Sequence, residues 1–453
     1  MFLKSSRQHV TGLVRHVCKR KLQCRLLCVN NLSTLQLDVM NHNELKKLKV
    51  PEPSIDLNYY CDFNKRDELK NNVVKRKSDV DIDTVLELNR SLNALVPNCD
   101  EYRNIKEKLS VELTKLPNRS HPLIIELDEP RVIRTVGRKK QFEFKPKEFP
   151  EIASHLRGAR TDKSNFTGHR SYFFFGQLAD LETALINYSL KKLLSKGFQL
   201  VSVPDILDRR IIESCGMNTR GKRNQVYSLN SELYGSDLCL SGTSEMALAG
   251  FLMNQTLRPA ELPLRLAAVS RCYRAETSRT SNERGIFRVH QFTKVEMFGV
   301  TEPDGSEDLL EEFRAIQEES FEELGLHFQV LDMPPCELGA QAYRKYDVEA
   351  WMPGRGLYGE VSSCSSCTDY QSRRLGIRIS NSQQFAHTVN GTALAVPRTI
   401  LALVENFQNK DITIDIPPVL QPFMGSANLI TRNTLFPKIS PYRSKGKSDT
   451  NSN

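Results

Sequence analysis

The sequence predicts an α+β fold: an antiparallel sheet flanked by helices, preceded by a short N-terminal helical hairpin. Short strand-like segments, largely antiparallel in order, run through the second half and are closed by the apolar stretch Ala393–Gln408. Two amphipathic stretches between 83 and 116 meet at a Pro-Asn turn, which makes a helical pair. No Gly-x-Gly-x-x-Gly and no Gly-x4-Gly-Lys-Ser/Thr occurs to suggest a doubly wound or P-loop nucleotide site.

Taken in order, residues 1–37 carry Lys4, Arg7, Arg15, Lys19, Arg20, Lys21 and Arg25 with no acidic residue before Asp38. That is the pattern of a mitochondrial transit peptide, although a basic arm that touches RNA has the same composition. The formal net charge of +9 favours an anionic partner, and the 39% hydrophobic content of the 453 residues allows more than one domain with a real core. No apolar run approaches the ~20 residues of a membrane span. The 11 cysteines are scattered, as in a reducing compartment. Cys364-Ser-Ser-Cys367 has metal-like spacing but no second pair, and reads as a buried strand and turn.

From 45 to 117 the chain is helical and polar. Val85, Leu88, Leu92 and Leu95 recur at helical steps, Pro97 breaks the pattern, and Ile105, Leu109, Leu113 and Leu116 resume it. Residues 118–170 form a basic, proline-punctuated connector with short strands expected at Val132–Thr135 and Phe142–Phe144. Phe173–Phe175 reads as a core strand, Leu178–Leu194 as an amphipathic helix stopped by Gly197, and Phe198–Pro204 as a strand. Further strands are expected at Phe328–Leu331, Tyr346–Trp351 and Leu357–Ser363, with Arg373–Arg378 continuing the sheet; Pro437–Asn453 reads as a disordered tail.

The most informative stretch is 270–298, read as strand, polar turn and antiparallel return strand. Alternation sets Arg288, His290, Phe292, Lys294 and Glu296 on one face, with Val289, Val295 and Met297 on the other, and gives Arg274 and Glu276 a shared face. Two arginines, two carboxylates and a phenyl ring side by side suit a nucleotide, since guanidinium forks fit phosphate and both planar groups stack on a base. A solvated hairpin laced with ion pairs fits the same pattern.

This stretch, with Arg274-Ala275-Glu276 and Arg288 through Glu296, resembles motif 2 of the class II aminoacyl-tRNA synthetases in its seryl form, above all the animal mitochondrial one. Gly242-Thr-Ser-Glu245, Gly359-Glu-Val-Ser-Ser363, Asp369 through Arg374, and His387 through Arg398 are similar to further motifs of that family, in the right order over about residues 115–425. The likeness implies a class II catalytic domain over 118–430, a tRNA-binding arm at 45–117 that is shorter than is usual in the family, and motif 1, the dimer interface, around 178–204. It further implies an enzyme that activates L-serine with ATP to seryl-adenylate and transfers it to mitochondrial tRNA-Ser, acting as a homodimer in the mitochondrial matrix, with Mg²⁺ and with no membrane attachment.

By the same resemblance Arg274 takes the α-phosphate, Arg398 the γ-phosphate, and Glu360 with Ser363 the magnesium ion, these being the catalytic and metal positions. Ala275, Glu276, Val289, Phe292, Val361, Ser362 and Ser363 complete the ATP site, with Glu276 reading the adenine and Phe292 and Arg398 sandwiching it. Thr243, Ser244, Glu245, Glu296, Asn390 and Thr392 form the serine pocket, and Arg279 and Arg284 meet the acceptor end of tRNA. Gly391-Thr-Ala393 and Thr243-Ser-Glu245 depart from the family's usual Gly-Ser-Gly and Thr-Ala-Glu while keeping the functional atoms. A catalytically inactive paralogue serving as a tRNA-binding or regulatory subunit, and an RNA chaperone using only the basic surface, are the alternatives. Arg274, Glu276, Glu296, Glu360 and Arg398 are all present, which favours the enzyme.

Overall fold

The N-terminal helices form where charge and apolar spacing agree. Helix α1 (Arg66–Lys75) opens on Asp67 and Glu68 and ends on Lys75, the order the helix dipole favours. Helix α2 (Ile82–Ala94) is capped by the Asp81 carboxylate, which accepts from the Asp83 amide, and α3 (Asp100–Lys115) follows the Pro97 turn. The computed structural model describes residues 50–97, 99–160, 170–221, 224–234, 237–276 and 285–435; the stretches expected to be a transit peptide and a tail, and the turn holding Arg279 and Arg284, lie outside these.

The expected hairpin is α2 and α3, but α1 joins it, so that Leu69 and Val73 share a core with Ile82, Val85, Leu109 and Leu113. Asp83 ties α1 to α2, with Arg66 at 2.6 Å and Lys70 at 2.5 Å. This three-helix unit is bolted to the rest. Arg76, at the end of α1 and buried, donates to the carbonyls of Ala342 (2.8 Å) and Gly339 (2.5 Å), and the Asn118 amide donates to those of Gln341 and Cys367, both at 2.9 Å. The residues from Val50 onward accordingly group as one compact unit.

Among the described residues the main sheet has eight strands: β1 (Arg131–Val136), β2 (Gln199–Leu200), β3 (Leu264–Tyr273), β4 (Gln291–Thr301), β5 (Phe328–Asp332), β6 (Arg344–Met352), β7 (Leu357–Thr368) and β8 (His387–Ala395). Their order is β1-β5-β6-β7-β8-β4-β3-β2, and every pair is antiparallel except β2 with β3. Among the helices of the domain are α4 (Phe149–Leu156), α5 (Gln177–Ser195), α6 (Ser244–Phe251), α7 (Ser306–Glu323), α8 (Tyr370–Leu375) and α9 (Val396–Asn406). One face of the sheet, with Val295, Met297, Val348 and Val361, joins apolar residues of α4, α5, α7 and α9 in the main core. On the other, Leu266, Ala268, Phe298 and Val300 pack with α6 in a second core.

Five local expectations are corrected. Phe142–Phe144 is irregular, its rings packed edge to face at 5.3 Å between lysine-rich flanks, with Pro146 unable to donate to a ladder. Phe173–Phe174 is a two-residue strand at the margin of the core, with Phe174 packed against it and Phe173 46% exposed. Arg373 and Arg374 belong to α8, where Asp369 pairs with Arg373 at 2.6 Å and Gly376 at φ +70° ends the helix; only Arg378–Ile379 is extended, and it pairs with Thr256–Leu257 away from the main sheet. The return strand starts at Gln291, so Arg288 and His290 precede the ladder, and the closing helix starts at Val396 because β8 runs to Ala395. Among the described residues no helix is long and apolar enough to cross a membrane.

Candidate active site

The alternation expected of the return strand holds from Phe292 onward and places a polar, buried cluster on the face opposite the main core. Thr243 caps α6, and its hydroxyl donates to Glu296 (2.9 Å) while accepting from Lys294 Nζ (3.0 Å), with Lys294 and Glu296 themselves 2.5 Å apart. Thr392 faces Glu296 in the β8–β4 register. Glu245, in the first turn of α6, is buried, and one of its oxygens accepts from Gln371 and Asn390, both at 2.6 Å. Burial and the nearby Glu296 push its carboxyl up to about 7. Ser244, by contrast, is buried with its hydroxyl unbonded and is not among the residues lining the adjacent cavity.

That cavity, of about 110 Å³, holds the cationic groups. Arg274 follows β3 directly, its guanidinium 5.4 Å from the Phe292 ring centre and its Nε buried without a hydrogen bond. Arg398, in the first turn of α9, donates to the Phe287 carbonyl (3.0 Å) and to the Glu360 carboxylate (2.9 Å), and lies 4.5 Å from the Phe287 ring. Burial alone would raise the Glu360 carboxyl, but Arg398 and Lys345 outweigh it and bring it to about 2, so it is ionised at any ordinary pH. Glu276, buried at φ +44°, lies 3.6 Å from Arg170 and 3.7 Å from Arg288.

Ser362, Ser363 and Val289 line the cavity as well. The Ser362 hydroxyl donates to the Thr392 carbonyl. Val361 turns its side chain into the main core, leaving its backbone to the site face, and Ala275 is held by its amide to the Gln225 carbonyl at 2.8 Å. The side chains thus fall into a cationic cavity and a buried acidic pocket, joined at Lys294 and Thr392. Such a pair can hold a polyphosphate in one part and an ammonium in the other.

Residues 227–407 match the model of the tRNA synthetase class II core domain (G, H, P, S and T). The chain is 46% identical over 353 residues to a serine–tRNA ligase, mitochondrial, of Bos taurus, covering 76% of this chain and 67% of that one, and 40% identical to a serine–tRNA ligase of Rubrobacter xylanophilus, covering 80% and 86%. The chain belongs to the serine–tRNA ligase family. It spans about two thirds of the mammalian mitochondrial relatives it matches. Its fold superposes on the seryl-tRNA synthetase of Pyrococcus horikoshii complexed with ATP with a TM-score of 0.75 at 28% identity, over 82% of this chain and 99% of that one.

In this ligase some site residues escaped the sequence reading. Phe287 stacks on Arg398 from the segment just before β4, and Arg170, from the connector, approaches Glu276; neither carries a local signal that singles it out. Gln371, which orients Glu245, sits inside the Asp369–Arg374 motif and was readable as a polar residue there. Lys294 was visible by alternation, lying between Phe292 and Glu296 on one strand face. Lys345 and Asp347, 2.8 Å apart on β6, come beside Glu360 through strand pairing alone, since Asp347 faces Ser363 across the β6–β7 register.

Proposed function

We propose that this chain activates L-serine with ATP, releasing pyrophosphate, and transfers the seryl group to mitochondrial tRNA-Ser, working as a homodimer in the mitochondrial matrix. The observation that carries the reading is the convergence of Arg274, Arg398 and Glu360 on one cavity beside the buried pair Glu245 and Glu296. The names of the mitochondrial relatives support the compartment. Exposed Leu194 and Leu200, at the end of α5 and on the edge strand β2, support a partner subunit there.

The serine carboxylate is already a nucleophile, so its attack on the α-phosphate needs no general base and depends on placement and charge. Arg274 holds the α-phosphate as charge moves through the transition state, and Arg398 leaves Glu360 to take the γ-phosphate. Phe292, with Arg398, flanks the adenine, and Glu276 accepts from its amino group. Glu245 and Glu296 receive the ammonium and hydroxyl of serine, and Thr243, Asn390 and Thr392 complete the pocket. Arg279 and Arg284 meet the acceptor end of tRNA.

Glu360 and Ser363 fit magnesium by the chemistry of their donors: both are hard oxygens, and among the described residues no group of three or more His, Cys, Asp or Glu could enclose a metal on its own. An ion held by one or two protein oxygens shares the rest of its shell with phosphates and water. When bound it neutralises phosphate charge. Serine-dependent ATP–pyrophosphate exchange tests the proposal. Arg274→Ala is expected to cut exchange by at least about a hundredfold with an unchanged melting temperature; exchange at the wild-type rate in that variant would remove the assigned role.

A further inference from the structure

The sheet forks at the nucleotide cavity. β7 and β8 pair from Thr368 and Thr388 as far as Cys364 and Gly391. Beyond that point, among the described residues, each keeps only its outer neighbour: Glu360, Ser362 and Ser363 stay paired to β6, and Thr392 and Ala395 to β4. One prong therefore carries Glu360 and Ser363. The other carries Thr392 and leads directly to Arg398. Parting two buried strands removes the ladder donors from their inward carbonyls, and such carbonyls need replacements.

The Ser362 hydroxyl, on the β7 prong, donates to the Thr392 carbonyl on the other, and one side chain from behind the sheet reaches a carbonyl on each. Gln317 of α7 is fully buried and donates from Nε2 to the Ser363 carbonyl at 2.8 Å and to the Thr392 carbonyl at 2.9 Å, one on each prong. Both partners are acceptors, so the amide has one workable orientation. Its own oxygen accepts no hydrogen bond. One turn earlier on the same helix face, Phe313 presses on Gly391 and Gly299, where an added Cβ would stand only 3.0 and 3.1 Å from its ring. Helix α7 is thereby held close against the root of the fork.

On the cavity side the gap is bridged by Arg398, which donates to both the backbone and the carboxylate of Glu360. An arriving phosphate competes for that guanidinium. Gln317 makes a tie the nucleotide does not contest. The geometry points to Gln317 as a positioning residue that fixes the width of the fork, and so the placement of Glu360 and Ser363 relative to Arg398. This rests on the reading of the cavity as an ATP site. The serine pocket lies at the start of α6 and on β4 and β8, all on one side of the fork, so that its residues, Thr392 included, keep their mutual spacing when the width changes.

Gln317→Met, similar in volume but without donors, tests this in the full-length protein. We expect serine-dependent pyrophosphate exchange to fall about ten- to a hundredfold, with a raised KM for ATP. The Kd for L-serine alone, measured by calorimetry, stays at the wild-type value. Gln317→Asn keeps the amide on a shorter stem and shows the same split at smaller size; it carries the test should Gln317→Met fail to fold. Wild-type exchange in folded Gln317→Met, or equal weakening of serine and ATP in either variant, overturns the assignment. Absence of exchange in the wild-type protein would instead refute the proposed function.

Discussion

Glu245 is the residue whose protonation governs what the acidic pocket can hold. Its carboxyl lies at about 7 against an ordinary 4.5, because burial and Glu296 disfavour its charge more than Lys294, Gln371 and Asn390 favour it. In the unliganded protein the raised value means that its contribution to stability is full below about 4.5 and is lost as pH rises through about 7. A bound ammonium reverses the preference, since it pairs with the ionised form. Serine binding at pH 7 should therefore release a proton, and affinity should rise with pH through neutrality. Calorimetry in buffers of different ionisation enthalpy measures the release directly. Glu245→Gln, whose carboxamide oxygen can still accept from Gln371 and Asn390, should abolish proton release and cut serine-dependent exchange by about a hundredfold or more. Binding without proton exchange in the wild-type protein would count against an ammonium at this position.

At the scale of elements, what could be read from the sequence was what local pattern determines. The 3.6-residue spacing of α2, α3 and α5 and the alternation along β4 are properties of short segments; the helices appear close to their expected limits, and the alternation holds from Phe292 onward. What escaped depends on distant partners. Helix α1 is polar by itself, and its role appears only when Leu69 and Val73 meet α2 and α3. Arg378–Ile379 leaves the main sheet because its partner is Thr256–Leu257, and the fork between β7 and β8 has no trace in either strand alone. The site divides in the same way: Arg274, Glu296, Glu360 and Arg398 sit in recognisable stretches, whereas Phe287, Arg170 and Gln317 are brought in by packing. The docking of α1 gives a prediction at this scale. Burial lowers the Arg76 guanidinium to about 10, a cost offset by its bonds to three carbonyls, those of Asn118, Gly339 and Ala342. Arg76→Ala should destabilise the protein by about 1–3 kcal/mol through the carbonyls left without donors. Urea denaturation measures it, and a change smaller than about 0.5 kcal/mol would show that α1 is not anchored there.

For the molecule as a whole, the question is whether the N-terminal helices and the catalytic sheet act in separable steps. Deleting residues 83–116 would uncover Leu69 and Val73 and could unfold α1, so loss of activity in that variant would say little about tRNA. Charge reversal on the exposed face of α3 is the cleaner change, because Arg103 and Lys106 are solvent-exposed while the helix packs through Leu109 and Leu113. If this face meets the phosphate backbone of tRNA, Arg103→Glu with Lys106→Glu should lower kcat/KM for charging about tenfold or more and flatten its dependence on salt. Pyrophosphate exchange, which requires no tRNA, should keep its wild-type rate. Equal loss in both assays would mean that the three-helix unit serves the catalytic domain's structure. Unchanged charging with an unchanged salt slope would place the tRNA contact elsewhere on the basic surface.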